Sequence, residues 1–531
     1  MAGHPAPVQR GPMTQTSAEA GLRGTESGPG TGRSTGRDLR WLAAVAGAYT
    51  LLQLVLVVPG SGLGWDETVY VSQVSPDAEA AFFSAPRARG ITFLVAPVTA
   101  LTSSVEALRV CLALLSGAGL FLALRVWRRL LPGPVLALAG ALFAGLWITV
   151  LYGPQAMPNL WVALGSLATV GCFLRAARDR SDLAALAGLG AGVAFVALMR
   201  PSDALWLALP LAAAALLVRA WRRPVLLLVL GAGAALGCAE WVIEAYAGYD
   251  GLVARLRRAS EIQGHLDWQL AFGDQMRALD GRSLCRPCDI PWRRPVTAVW
   301  WFALPLLAVA GLLVGVRLRR LTVVLVPTLA GLSLAVPYLL LIGYAAPRFL
   351  LPTYALLALP VALCLTRIGR TARARPLVAT GLALVLGAHL AVQYAVLDGA
   401  VARSRAHRAA LGRVVAELDR QGVRPPCVVS GEEAVRIAFL AGCASRQTGG
   451  HDGSITPAGI AALARTRPVA LVMTGDGGPP AYARHWRLRP LPDLPGVPDW
   501  RAYLSPSTRP APQAVTEPAP PPVTHVPGQH T

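Results

Sequence analysis

The chain contains no lysine: all 49 of its basic residues are arginine. That usage reads as the bias of a high-GC bacterial genome and assigns no function. Charge is scarce too. Only 15% of the 531 residues are charged, against roughly a quarter in an ordinary soluble protein. The short basic loops hold no nucleotide-binding signature. Internal repeats and polar residues near the middle of the apolar runs are also missing, and secondary transporters are usually built from both.

Apolar sequence is what the chain has in quantity. Hydrophobic residues make up 54% of it, in runs close to the ~20 residues a helix needs to cross a bilayer. The reading is mainly α: a polytopic transmembrane bundle with a small C-terminal α/β domain. Spans are expected near 41–60, 106–126, 134–152, 159–174, 184–199, 203–219, 224–247, 296–316, 321–343, 349–366 and 377–397. The segment ITFLVAPVTALTSS (91–104) reads as a short span or a re-entrant piece.

A formal net charge of +20 suggests nucleic acid until the arginines are placed. Arg125/Arg128/Arg129, Arg175/Arg178/Arg180, Arg219/Arg222/Arg223, Arg317/Arg319/Arg320 and Arg367/Arg370/Arg373/Arg375 close alternate runs, and Arg33, Arg37 and Arg40 precede the first. This is the positive-inside pattern. It expects a plasma-membrane protein with a cytoplasmic N-terminus, and no nucleic-acid partner. The expected division is a disordered tail 1–39, a membrane domain 40–399 with outer loops 61–105 and 248–295, an extracytoplasmic α/β domain 400–505, and a disordered Pro-rich tail 506–531.

Cysteines follow the same division. Cys111, Cys172, Cys238 and Cys364 fall in spans, as small apolar residues do. Cys285, Cys288, Cys427 and Cys443 fall outside, where disulfides are expected and three pairings are open. Zinc at CRPCD (285–289) is disfavoured, because no second CxxC or close His pair accompanies it.

Polar residues that topology does not explain gather on the outer side. GLGWDETVY (62–70) places Asp66 and Glu67 beside Trp65 and Tyr70 just past the first span. A helix cap is the plain reading of that acidic pair. Beyond it, SPDAEAAFFSAPRARG (75–90) reads as an interfacial amphipathic element carrying Arg87 and Arg89. Arg200 in ALMRPSDALW (197–206) and Arg348 in GYAAPRFLLP (343–352) lie at outer turns, with Tyr344 beside the latter. A guanidinium at a membrane rim suits a phosphate, which it can grip bidentately; a structural ion pair such as Arg200 with Asp203 is the competing reading. Residues 251–272 read as an interfacial helix with His265 near its centre, and His451–Asp452 lie in a Gly-rich loop.

Taken in order, the outer acidic pair, the Arg-Pro turn and PRFLLP resemble the GT-C membrane glycosyltransferases. The branch they are most similar to holds the protein mannosyltransferases and aminoarabinose transferases (glycosyltransferase 39/83-like). The resemblance covers roughly 40–400. It implies a hexosyl- or pentosyltransferase that moves a sugar from a polyprenyl-phosphate donor to an extracytoplasmic acceptor: protein, lipid or cell-wall glycan. Carried over, Asp66 is the general base, Glu67 orients it, contacts the acceptor or helps hold a divalent ion, and Arg348 and Arg200, with Arg87 and Arg89, hold the donor phosphate. Trp65, Tyr70, Gln155, Asn159, Tyr344 and His265 are acceptor or cavity candidates. Where many members have a further acid, YGPQAMPNLW (152–161) offers Gln155 and Asn159. Amides are weaker ligands than carboxylates, so a divalent cation (Mg or Mn) stays open as a cofactor but is disfavoured, and a metal-free site is the competing reading. A lipid-glycan flippase and a non-catalytic GT-C-like scaffold are the alternatives.

Overall fold

The computed structural model describes residues 30–509 apart from 287, 290, 373–374 and 494–498, together with residues 1 and 3; side chains are described from residue 36. Most of the two expected tails lies outside these residues.

The membrane part begins with α1 (Gly30–Leu52), which a π-helical turn extends to Val57. It starts about a span's half-length inside the expected tail, so residues 30–39 are helical. Two short helices follow, α2 (Trp65–Ser72) and α3 (Gly90–Thr99), then α4 (Val105–Val126), α5 (Gly133–Ala144), α6 (Trp147–Tyr152) and α7 (Pro158–Arg178). After them come α8 (Leu183–Met199), α9 (Pro201–Leu217) and α10 (Pro224–Gly248). The helices α11 (Leu252–Ile262) and α12 (Phe272–Ala278) cross one end, and α13 (Val299–Arg317), α14 (Leu321–Leu340), α15 (Leu351–Ala372) and α16 (Pro376–Arg420) complete the bundle. Among the described residues, eight helices are long and apolar enough to cross a membrane. The 17-residue α8 and α9 and the broken pair α5–α6 fill the remaining expected spans. At 10 residues, α3 is about 15 Å long and does not span.

Local chemistry sets several of these boundaries. Pro158, Pro201, Pro224 and Pro376 each open a helix, where the missing N–H costs nothing. Ser104 caps α4, and Asp182 caps α8 while pairing with Arg175 and Arg129. The basic loops touch one another: Arg223 donates to Ala176 O, Arg320 to Leu130 O and Arg178 to Thr322. Four of the arginine clusters, those at 125–129, 175–180, 219–223 and 317–320, therefore share one end of the bundle.

The bundle is centred on α7 and α15, whose apolar windows are 83% and 89% buried, whereas that of α16 is only 6% buried and presents leucines outward, as a lipid-facing helix does. Where α8 meets α10, a Cβ on Gly237 would lie 2.2 Å from the carbonyl oxygen of Ala194. Glycine there lets the two backbones touch, the small-residue contact of membrane helices.

No break occurs at residue 399. Instead α16 runs unbroken to Arg420 and carries the chain into the C-terminal sheet. The sheet order is β2 (Ala444–Ser445), β1 (Val428–Gly431), β3 (Val469–Met473), β5 (Arg501–Leu504), β4 (Arg487–Pro490). Neighbours β2, β1 and β3 are parallel, joined through α17 (Ala434–Ala441) and α18 (Pro457–Thr466); β5 runs antiparallel to both β3 and β4. The unit continues past 505, where Ser507 hydrogen-bonds Arg467 O.

The interfacial helix expected over 251–272 stops at Ile262, because Gly264 and His265 both take positive φ. His265 is exposed, and its backbone N–H donates to Ser260 O.

Candidate functional site

The two adjacent acids sit in the first turn of α2 and point into different surroundings. Glu67 reaches back to the N–H of Gly64 (2.8 Å), the reciprocal half of a capping box. It also accepts from Ala156 N (2.7 Å) and forms a two-point pair with Arg109, Oε1–Nη1 2.5 Å and Oε2–Nη2 2.8 Å. Arg109 donates further to Pro154 O and Gly62 O. Both side chains are almost fully buried, at 3% and 2% exposed. This clamp ties the first loop, α4 and the turn before α7 into one unit. Arg109 was not singled out in the sequence, though it carried a signal: it is an arginine inside an apolar run rather than at its end.

Asp66, by contrast, keeps 36% of its side chain exposed. Its Oδ1 accepts from Arg87 Nη2 at 2.8 Å and its Oδ2 from Arg348 Nη2 at 3.0 Å. Burial pushes this carboxyl up, but Arg87 and Arg348, with Arg200 behind them, outweigh it and hold the group below its ordinary range. Asp66 is therefore ionised at neutral pH and, so held, a weak base.

Each arginine is fixed from elsewhere. Gly90 opens α3 against the end of α8, where an added Cβ would lie 2.6 Å from Leu198 O. That close approach brings the 84–89 loop beside Arg200. Arg255, fully buried on α11, donates to Ala85 O and Arg87 O and lies between the Trp241 and Tyr249 rings, at 4.3 and 4.8 Å. Arg87 also hydrogen-bonds Ser84 and reaches Asp452 of the C-terminal unit at 3.6 Å. Arg348 donates to Ser283 O (2.7 Å) and Tyr152 Oη (3.4 Å).

Ser283 is held by the next turn. Cys285 and Cys288 form a disulfide, and Cys285 exchanges backbone hydrogen bonds with Ala345. The second disulfide joins Cys427 to Cys443 in the sheet, so the pairing left open is 285–288 with 427–443.

Arg200 links α8 to α9, with its Nε 3.2 Å from Asp203, whose other oxygen accepts from Tyr338 Oη at 2.6 Å. Its guanidinium lies over the Tyr338 and Phe349 rings, at 5.6 and 5.8 Å. The two terminal nitrogens of Arg200 take no hydrogen bond among the described residues.

The remaining candidates scatter. Arg89 is turned onto Glu244 (2.6 Å) and Glu240 (3.4 Å), so its charge is already answered. Tyr70, one helical turn past Asp66, is buried edge-on to Phe83. Tyr344 stands between Arg286, stacked 4.6 Å above it, and Phe349. Trp65 packs on the helical core. Gln155 lines a cavity together with Tyr152. Asn159 lies inside α7 rather than at its cap, with both amide atoms buried and without a hydrogen-bond partner.

A divalent cation does not fit this donor set. Among the described residues no three of His, Cys, Asp and Glu gather closely enough to share one. Both oxygens of Asp66 face guanidiniums, where a metal would meet positive charge.

The fold has a structural counterpart. Undecaprenyl-phosphate-bound ArnT from Cupriavidus metallidurans superposes with a TM-score of 0.61 over 90% of this chain and 100% of its own, at 14% identity. Its apo form gives 0.60 over 89% and 98% at the same identity. The fold is GT-C-like. The archaeal oligosaccharyltransferase AglB from Archaeoglobus fulgidus aligns less closely, with a TM-score of 0.45 and 15% identity over 81% of this chain and 69% of its own. No protein-family model and no curated protein matches the sequence. On this GT-C-like bundle, Asp66 and its arginines collect at the end opposite the basic loops.

Proposed function

We propose that the chain is a membrane glycosyltransferase that takes a sugar from a polyprenyl-phosphate donor and passes it to an acceptor hydroxyl on the side away from the cytoplasm. One observation carries the reading: a partly exposed carboxylate, Asp66, faces Arg87, Arg348 and Arg200, with nitrogens of Arg200 unclaimed, on a GT-C-like fold. Three guanidiniums around one carboxylate leave room for an anion. ArnT, whose fold this chain shares, has been seen with undecaprenyl phosphate bound.

The donor phosphate enters against Arg200 and competes with Asp66 for Arg348. As Arg348 turns toward the phosphate, Asp66 loses the attraction that depresses its pKa and gains a negative neighbour; both changes raise its basicity. The acceptor hydroxyl then attacks the sugar's anomeric carbon. The bond from that carbon to the phosphate oxygen breaks, and the electron pair leaves with the polyprenyl phosphate, whose charge Arg348 and Arg200 stabilise. The hydroxyl proton passes to Asp66. Glu67, held by Arg109, keeps α2 in place and stays out of the chemistry, and Arg89 plays no part.

The test gives the purified protein a panel of labelled polyprenyl-phosphate sugars. Transfer by the parent, lost in Asp66→Asn and weakened in Arg200→Gln, supports the reading. Undiminished transfer by Asp66→Asn removes the base. Accumulation of sugar in vesicles with no new glycosidic product makes the protein a transporter instead.

A further inference from the structure

A second cationic site lies one side chain away from Asp66. A cavity of about 480 Å³ opens between the first loop, the extension of α16 and α17 of the C-terminal unit. Arg282, Arg403, Arg408 and Arg436 line it, with His407 among them. Glu67 is the carboxylate in the lining, and Arg109 already neutralises it from behind.

The arginines differ in how well they are answered. Arg436 is paired with Glu433, and Arg408 reaches Glu106 at 3.6 Å. Arg403 donates to the carbonyl of Gly281 and feels the attraction of Asp280, which Arg294 shares, while Arg294 and Arg282 crowd it with like charge. Among the described residues Arg282 makes no hydrogen bond or ion pair, and the buried Nε2 of His407 has no hydrogen-bond partner, with the Glu433 carboxylate 4.0 Å away. One guanidinium without a partner among the described residues, beside three that are paired, makes this lining the complement of an anion.

Position gives the cavity its meaning. Tyr152 lines it and also takes the hydrogen bond from Arg348; Ser283 does the same through its carbonyl. Glu67 and Thr68, the residues after Asp66 on α2, line it as well. The helical bundle and the C-terminal unit build the walls together.

We propose that this cavity binds an anionic group, phosphate or uronate carboxylate, carried by the acceptor glycan, and so orients the acceptor toward Asp66. The assignment rests on the glycosyl-transfer reading for its biological meaning, but the binding is measured apart from it. Arg282 is the group to remove, because it holds no part of the protein together.

Calorimetric titrations of the detergent-purified full chain with inorganic pyrophosphate, methyl glucuronide and neutral methyl glucoside test it. Pyrophosphate, methyl glucuronide or both bind saturably, and methyl glucoside does not. Arg282→Gln weakens the anion by about tenfold, the scale of one charge-assisted contact. Arg403→Lys, which keeps the charge, retains most of the affinity, and Arg200→Gln leaves this site unaltered. Which of the two anions binds more tightly names the acceptor's charge as phosphate or carboxylate. Affinities that do not change in Arg282→Gln overturn the proposal, and so does equal binding of the neutral glucoside. Slow hydrolysis of the labelled donor, followed in the same samples, keeps the two readings apart. Arg282-dependent binding without donor turnover leaves the cavity standing and sinks the transferase, and turnover without anion binding does the reverse.

Discussion

Asp66 and Glu67 are neighbours in one helical turn, both paired with arginine, and the structure treats them oppositely. Glu67 is 3% exposed and has backbone donors on both oxygens besides a two-point guanidinium. Asp66 is 36% exposed and shares its two arginines with other acceptors: Arg87 with Ser84 and Asp452, Arg348 with Ser283 and Tyr152. A buried pair with every lone pair satisfied has one arrangement. A carboxylate between arginines that have other partners has several, and a ligand can choose among them. The residue type says nothing of this difference; burial and partner count decide it.

The largest effect should come from breaking the fixed pair. Arg109→Ala strands the Glu67 charge in a dry site, and losing one partner of a buried pair costs about 3–5 kcal/mol. Thermal unfolding of the purified variant should show the loss, with activity falling only because folded protein falls. A variant as stable as the parent would place Glu67 and Arg109 outside the framework. Asp66→Asn should break the comparison from the other side. It lowers the melting temperature by less than Arg109→Ala does, because the Asp66 charge is partly exposed, and it lowers transfer by ~10²–10⁴, the usual worth of a positioned base.

The sequence carries the bundle clearly and the site unevenly. Apolar runs and arginine clusters are one-dimensional signals, which is why the expected spans coincide with helices. Asp66, Arg200 and Arg348 stand out for a similar reason: each is a charge at a rim where topology does not require one. Pairing is a different matter. Arg87 and Arg89 look alike in PRARG, and only packing from α10, which brings Glu240 and Glu244, separates them. Arg109 and Arg255 act through contacts far along the chain that no local pattern encodes. The course of α16 through residue 399 is hidden as well, since a helix that leaves a membrane changes composition without changing conformation.

A pH profile sharpens the contrast at intermediate scale. Because the folded-state pKa of Asp66 is depressed, its charge stabilises the protein above the unfolded value of about 3.9. That contribution is lost as pH falls through the lower folded value. In catalysis, kcat/KM reports the free enzyme, so its acid limb should lie below the ordinary carboxylate range. The kcat limb reports the complex and should lie higher, once phosphate has drawn Arg348 away. Coincident limbs in kcat and kcat/KM would show that the donor leaves the Asp66–Arg348 pair intact.

The smallest effect should separate the second pair of look-alikes. Arg87 touches Asp66 and is held to it through Ser84 and the backbone contact from Arg255. Arg87→Gln removes one of the charges that surround the donor phosphate, so KM for the donor should rise about tenfold, the worth of one charge-assisted contact. Arg89 has its charge satisfied by Glu244 and Glu240 and its guanidinium on the Phe83 ring. Removing it leaves Glu244 still paired with Arg255, so Arg89→Gln should alter the donor KM by less than about threefold, as substitutions away from such features do. Steady-state kinetics of both variants with one labelled donor measures the difference. Equal losses would mean that the 84–89 loop acts as a unit, and that Arg87 contributes through its backbone position rather than through its charge.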